Sequence, residues 1–206
     1  MAVALINLPT ILTASLAASL VPAVSAAFTL KDSRSILQQT STAIRIANFI
    51  TIPSCVGLFL LATPISEMLY ATPNAGGCIG ILSFGIIVLG LGQVTTGILQ
   101  GIGHTAIPLV NLAISAVVKV ALSWYWTALP EWGINGAAWA TNIDFAVAAM
   151  LNLYFVHRYV GYSPNVVDII KTCVAATLMG AAVIFSYDFV MLHLMSNTLS
   201  TLVAIL

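Results

Sequence analysis

Residues 97–144 read GILQGIGHTAIPLVNLAISAVVKVALSWYWTALPEWGINGAAWATNID. Two long apolar segments, residues 107–129 and 136–156, flank the short polar turn PEWGIN. Each has about 20 residues, which is enough for a helix to cross a hydrocarbon core of about 30 Å. The stretch therefore predicts a hairpin of two membrane-spanning helices.

Each of these apolar segments carries one charge well inside it. Lys119 lies 12 residues before Glu131, and Asp144 lies 12 residues after Trp132, so a hairpin that turns between Glu131 and Trp132 places both charges at similar depth. A charge in lipid costs about 2.5–3.5 kcal/mol on insertion scales, and such residues usually pair or face a wet interior. Two interpretations stay open: a structural ion pair that fixes the hairpin, or a cavity for a polar or anionic head group. In the second, Lys119 binds negative charge and Asp144 balances it or takes up a proton.

The composition assigns the whole chain to an all-α integral membrane class. Of 206 residues, 60% are hydrophobic and only 6% are charged, with a mean hydropathy of +1.07. A soluble domain carries about 25% charged residues, so this chain cannot cover a water-facing surface. Long continuous apolar runs favour helices, because lipid offers no partner to open backbone groups. Six acidic residues balance six basic ones, so membrane lipids and not nucleic acid are the expected partners.

Seven apolar segments are expected to be membrane helices. They cover residues 2–28, 46–70, 78–100, 107–129, 136–156 and 169–187, and a seventh begins near residue 191. The polar stretch TLKDSRSILQQTSTAIR, residues 29–45, fits a short interfacial helix better than a span. The first segment lacks the basic start of a signal peptide, so we interpret it as a membrane helix. Both ends stand inside apolar runs, which suggests a fragment of a longer transporter.

The basic residues predict the orientation of these segments. The first, third and fifth loops are residues 30–45, 101–106 and 157–168, and the basic residues in or beside them are Lys31, Arg34, Arg45, Arg158 and Lys171. The remaining loops contain no Lys or Arg. Cytoplasmic loops of membrane proteins are enriched in these residues, so we expect these three loops to share the inner side.

No pattern of catalytic, metal-binding or cofactor-binding residues emerges. No Ser, His and Asp set falls convincingly on one face, and no phosphate-binding loop follows a strand. The three cysteines are scattered in apolar surroundings, without CxxC spacing. We expect no enzymatic activity, no cofactor and no metal.

Several stretches taken in order resemble one transporter superfamily. They are LPTILTASLAASLVPAVSAA, IPSCVGLFLLATPISEMLY, TTGILQGIGHTAIPLVN, and GINGAAWAT followed by LNLYFV. Together they resemble the polysaccharide-export and lipid II flippase branch of the multidrug/oligosaccharidyl-lipid/polysaccharide (MOP) flippase superfamily, and especially its stage V sporulation protein B group. Each stretch alone is a weak pattern of small and apolar residues, but the ordered set is fairly specific.

The resemblance implies a two-lobed, MATE-like protein of which this chain is most of the second lobe. Residues 1–158 would form the core bundle of about five membrane helices, and residues 159–206 two extra helices, the last one truncated. The missing partner would be the N-terminal lobe of the same protein. Family members flip undecaprenyl-linked sugars or peptidoglycan precursor across the bacterial cytoplasmic membrane by alternating access, and the substrate would be a lipid-linked sugar.

The resemblance also suggests which residues meet the substrate. Basic residues in the central cavity of related flippases attract the pyrophosphate, which makes Lys119 the first candidate for substrate binding and Arg45, at an inner helix end, a weaker one. Asp144 matches no family motif, so its candidacy rests on its depth. The alternatives are an ion-coupled multidrug exporter of the same superfamily, favoured if Asp144 alone faces the cavity, and a structural subunit without any cavity.

Overall fold

The computed structural model describes residues 2–70, 75–129 and 133–194, together with 200, 201 and 204. Within these residues eight helices follow one another along the chain. They are α1 (Ala2–Thr29), α2 (Ser33–Leu60), α3 (Ala62–Tyr70), α4 (Gly76–Ser83), α5 (Gly85–Gly101), α6 (Ala106–Thr127), α7 (Gly133–Val160) and α8 (Val166–Leu194). Six stretches within these helices are long and apolar enough to cross a membrane. The sequence predicted about seven such segments.

The polar stretch 29–45 is not a separate interfacial helix, so that prediction is wrong. Helix α2 begins at Ser33, where the Asp32 side chain accepts a hydrogen bond from the backbone N–H of Ser35 (3.0 Å), and it runs unbroken to Leu60. Ile36, Thr40 and Ile44 are buried on its inner face, four residues apart. This spacing gives the polar stretch one face that packs into the bundle, so it extends the spanning helix.

Two of the predicted spans contain breaks. The chain interrupts its helix at Leu61, between α2 and α3, and again at Phe84, between α4 and α5. The rings of Phe59 and Phe84 pack with centroids 5.2 Å apart, which brings the two breaks together. The apolar segments 46–70 and 78–100 are therefore each built from two helical pieces.

The hairpin predicted from residues 97–144 is confirmed as α6 and α7. The two helices pack along their length, and Gly136 approaches Trp126 so closely that an added Cβ would lie 2.8 Å from the tryptophan Cβ. Helix α5 packs against α1 as closely, since a Cβ at Gly97 would lie 2.6 Å from the carbonyl oxygen of Ala17. Small residues at these points let the helix backbones approach each other.

The last part of the chain differs from its prediction. Helix α8 continues to Leu194, so the loop expected near residues 188–192 is helical. It packs against α2 and supplies the sixth candidate span. The predicted seventh helix lies mostly outside the described residues, although Ala204 is buried near Leu61 and Ile65. The division of the chain at residue 158 stays a prediction.

The first, third and fifth predicted loops lie at one end of the bundle. One apolar cluster joins Ile36 of α2, Ile102 after α5 and Tyr162 after α7. The rings of His104 and Tyr159 also stack there, with centroids 4.2 Å apart. The predicted grouping of the first, third and fifth loops is therefore confirmed, and we refer to this as the inner end.

Candidate polar groove in the membrane

Lys119 and Asp144 form an ion pair across the α6–α7 hairpin. The Lys119 Nζ lies 3.2 Å from the Asp144 Oδ2 and 5.8 Å from the ring centroid of Phe145. The two side chains differ in burial, because Asp144 is 11% exposed and Lys119 is 39% exposed. The structure therefore confirms the similar depth that the hairpin predicted, and it shows the ion pair of the first interpretation.

A second polar pair crosses the same hairpin closer to the inner end. Asn111 donates from Nδ2 to Oδ1 of Asn152 (2.8 Å), and Asn152 donates from Nδ2 to Oγ1 of Thr96 (3.0 Å). Asn111 and Asn152 are both 3% exposed. This chain of hydrogen bonds links α6, α7 and α5, and it satisfies amide groups that lipid would leave without partners.

A groove of about 900 Å³ lies between α1, α5, α6 and α7. Its walls are built largely from alanine, glycine and aliphatic residues of α1, α5 and α6. Its polar groups come from α5, from the start of α6 and from α7; they are Gln93, Thr96, Gln100, Thr105, Asp144 and Asn152. The groove therefore offers neutral hydrogen-bonding groups and one carboxylate on an otherwise apolar wall.

The ion pair stands at the edge of this groove, with its two members placed differently. Asp144 lines the groove, and Lys119 does not. The Asp144 Oδ1 is buried and has no hydrogen-bond partner within the described part of the chain. Asp144 thus has one oxygen on Lys119 and a second that can accept a hydrogen bond from a bound molecule.

Arg45 lies away from this groove. It is an exposed residue of α2, 12 residues after the start of the helix at Ser33, and it does not line the groove. The expectation that it stands at an inner helix end is wrong, because the polar stretch before it is helical. Its role in substrate binding stays a prediction, and the structure does not bring it together with Lys119 and Asp144.

Gln93 is the groove residue whose position the sequence left open. It lies in the middle of an apolar segment, where a hydrogen bond between helices was the simpler expectation. The Thr13 hydroxyl donates to its Oε1 (2.5 Å), and its amide nitrogen has no hydrogen-bond partner among the described residues. The only sign in the sequence was an amide side chain within a glycine-rich span. Sequence spacing does not show that a groove lies between α1, α5 and α6 at this position.

A bundle of helices long and apolar enough to cross a membrane, with a polar groove between them, defines a class, the helical multi-pass membrane proteins. The family follows from a match over residues 1–204 to the model described as lipid II flippase MurJ, and the chain belongs to this family. It is a multi-pass protein of the bacterial inner membrane.

Relatives in Bacillus subtilis (strain 168) agree with this assignment. The chain is 28% identical over 185 residues to the uncharacterized membrane protein YabM and 26% identical over 186 residues to the lipid II flippase MurJ. These alignments cover 89% and 87% of this chain but 34% of each relative. Stage V sporulation protein B is 26% identical over 151 residues, 73% of this chain and 29% of the relative. The chain thus spans about a third of the length of the curated relatives that it matches.

Solved structures show the same fold. A lipid II flippase MurJ in an inward closed conformation superposes with a TM-score of 0.75 at 20% identity, over 96% of this chain and 42% of that one. A MATE family multidrug resistance transporter of the MOP superfamily, in an inward-facing conformation, gives 0.67 at 15% identity, over 98% and 52%. The predicted MOP flippase fold is therefore confirmed.

Proposed function

We propose that this chain is part of a longer flippase that moves a lipid-linked sugar, such as undecaprenyl-linked oligosaccharide or lipid II, across the bacterial inner membrane. The family match over residues 1–204 supports the class of activity. The groove between α1, α5, α6 and α7 is the observation that carries the proposal for this chain, because it places polar groups at membrane depth. No catalytic step is involved; the substrate changes sides by alternating access between lobes.

The groove suits the neutral part of such a substrate. Gln93 and Gln100 offer amide donors, and Gln100 also offers an amide acceptor, which match the hydroxyl and amide groups of a sugar or a short peptide. A polar head group loses its hydrogen bonds to water when it leaves the membrane surface. Amide groups at this depth in the membrane can replace those hydrogen bonds. The rest of the wall is apolar, as is usual for pockets that bind a ligand.

In this proposal Lys119 and Asp144 act as an exchangeable pair. The Lys119 side chain is 39% exposed, so its ammonium can leave Asp144 for a phosphate oxygen as the lobes rearrange. Asp144 then keeps its place in the groove wall and takes up a proton or a substrate hydrogen bond. The pair thereby stays neutral in the arrangement without substrate, which limits the cost of two charges at this depth.

A charge swap in the full-length protein tests this role. Lys119→Asp, Asp144→Lys and the double change are compared for protein level in membranes and for flipping of lipid II in vesicles. We expect Lys119→Asp to abolish flipping even where enough protein reaches the membrane for the assay, and the double change to restore the protein level without restoring flipping. If each single change abolishes folding and the double change restores both properties, the pair is structural and the substrate role is wrong.

The rest of the flippase is also part of the proposal. One lobe offers half of a transport path, so we expect the isolated chain to insert into membranes without flipping lipid. Reconstituted flipping by the 206-residue chain alone would overturn this requirement.

An ion-coupled multidrug exporter is the second candidate, and one observation favours it. Asp144 lines the groove while Lys119 stands outside it, so the groove wall carries a negative charge and no positive one. Such a wall attracts cationic drugs or a coupling ion. Export of a cationic dye that depends on Asp144 and not on Lys119, together with absent lipid II flipping, would favour the exporter. The third alternative, a subunit without a cavity, disagrees with the groove itself.

A further inference from the structure

A second groove, of about 400 Å³, lies between α1 and α2. Ser35, Gln38 and Gln39 line it near the turn at the inner end, and Leu16 and Ile46 line it deeper in the bundle. Ser35 and Ile46 are 11 residues apart, about 16 Å along the helix. The groove therefore changes from polar to apolar over the depth at which a lipid changes from head group to acyl chain.

One polar atom in this groove lacks a partner. The Gln39 Nε2 donates to the Ser35 Oγ (3.2 Å), but the Gln39 Oε1 is buried and meets no donor among the described residues. Buried amide oxygens are normally paired, so this oxygen calls for a hydroxyl or an N–H from a bound molecule. Gln39 lines the groove, and we infer that a molecule bound there supplies the missing donor.

Two arginines stand on the face of α2 beside the groove. Arg34 and Arg45 are 11 residues apart, which is three helical turns to within about 20°, and both are exposed. Gln38 and Ser41 lie between them on the same face, also exposed. The described residues place no carboxylate within ion-pair distance of either arginine. One turn beyond Arg45 the face becomes apolar, because Phe49 is 68% exposed.

This arrangement fits an anionic lipid at the level where the head groups meet the hydrocarbon. An arginine at that level keeps its guanidinium at the interface, where a phosphate is the available counter-ion. The bundle end concerned carries the basic loops, which face the cytoplasm in membrane proteins. The cytoplasmic leaflet attracts such basic groups through its anionic lipids.

We propose that the α1–α2 groove binds an anionic phospholipid of the inner leaflet as a resident lipid of the protein. The Arg34 guanidinium binds the phosphate at the interface, and the Arg45 side chain, which lies deeper and leans toward the N-terminal end of α2, reaches toward the same head group. The Gln39 Oε1 accepts a hydrogen bond from a head-group hydroxyl, as in the glycerol of phosphatidylglycerol. One acyl chain follows Leu16 and Ile46. This assigns Arg45 to a bound lipid and separates it from the transported substrate.

Lipid binding by the full 206-residue chain tests the proposal. The purified protein is titrated with phosphatidylglycerol or phosphatidylcholine, and bound lipid is counted by native mass spectrometry, with circular dichroism to verify that each variant is helical. We expect phosphatidylglycerol to bind preferentially, and Arg34→Gln and Arg45→Gln to weaken it about fivefold each. Arg158→Gln is the matched control, since Arg158 is an exposed arginine of the inner end outside this groove.

A second variant tests the hydroxyl contact without removing charge. Gln39→Leu is expected to abolish the preference for phosphatidylglycerol over phosphatidic acid, which has the phosphate without the glycerol, while binding of both lipids persists. An unchanged preference would contradict the Gln39 contact.

Four results would overturn the resident lipid. Equal binding of phosphatidylcholine, or an equal effect of Arg158→Gln, would show that the groove does not select a head group. Undecaprenyl diphosphate that displaces phosphatidylglycerol at lower concentration would assign the groove to the transported lipid. Absent lipid binding in a helical protein would show that the groove is not a lipid site.

Discussion

Lys119 and Asp144 repeat the alignment of Asn111 and Asn152, because each ionic partner lies eight residues closer to the α6–α7 turn than the asparagine on its own helix. Eight residues are about 12 Å of helix, so the two pairs form successive polar contacts across one antiparallel interface. The outer contact is charged and borders the groove. The inner contact is neutral and reaches α5 through Thr96.

The unequal burial of the ion pair predicts unequal effects of its removal. Lys119→Met leaves the 11% exposed carboxylate of Asp144 without its cation, whereas Asp144→Asn leaves a lysine that is 39% exposed and can reach polar surroundings. We expect Lys119→Met to destabilise by about 1–3 kcal/mol and Asp144→Asn by less than half of that. Unfolding of the purified variants in mixed detergent measures both. Equal losses would contradict the burial argument.

The asparagine contact predicts a difference between its two members. Asn152→Leu removes the hydrogen bonds to both Asn111 and Thr96, and Asn111→Leu removes only one. Hydrogen bonds between membrane helices contribute about 0.6 kcal/mol each on average, and up to about 1.7. We expect Asn152→Leu to cost about twice as much as Asn111→Leu in the same unfolding measurement. Asn135→Leu, at an exposed position near the start of α7, is the control and should have little effect.

The sequence predicted the hairpin well because its own residues determine it. Two apolar runs of spanning length and one turn set the alignment, so the contact between Lys119 and Asp144 followed from counting residues. The sequence did not predict which residues form the walls of the groove, because those walls come from helices that are distant in the chain. Whether Lys119 or Asp144 faces the groove depends on how α6 and α7 are placed relative to α1 and α5. Sequence spacing does not determine that arrangement.

The polar stretch before Arg45 shows a different limit of the sequence. Its glutamines, serines and threonines indicated an interfacial helix, since a span of about 20 residues needs none of them. Tertiary packing overrides that expectation, because Ile36 and Ile44 join the apolar cluster at the inner end. A helix of 28 residues is about 42 Å long, so it crosses the hydrocarbon and still extends beyond it.

The close approach of α1 and α5 predicts a strong effect of one methyl group. A Cβ at Gly97 would lie 2.6 Å from the carbonyl oxygen of Ala17, and backbone on both sides leaves no flexible atom to move. We expect Gly97→Ala to cost about 1–3 kcal/mol and to lower the protein level in membranes. Gly92→Ala on the same helix is the matched control, because its nearest neighbour, the Ala149 Cβ, lies at 3.7 Å. Equal stability of the two variants would show that α1 is not packed on α5 as described.

Chemical labelling tests whether the groove is open to water in the membrane. Cys55, Cys78 and Cys173 are first replaced by alanine, since the third is exposed and would react by itself. Gln100→Cys then places a thiol in the groove near its inner end, and Leu178→Cys places one on α8, where the leucine is 69% exposed and is expected to face lipid.

We expect a charged, membrane-impermeant thiol reagent to modify Gln100→Cys and not Leu178→Cys in inside-out membrane vesicles, because the reagent needs water and an ionised thiol. Addition of lipid II should slow the modification at Gln100 if the groove receives its head group. Modification at neither position would mean that another helix of the flippase fills the groove, and the substrate would then have to bind elsewhere. If lipid II does not slow modification at Gln100, the groove is open to water but does not receive the lipid II head group.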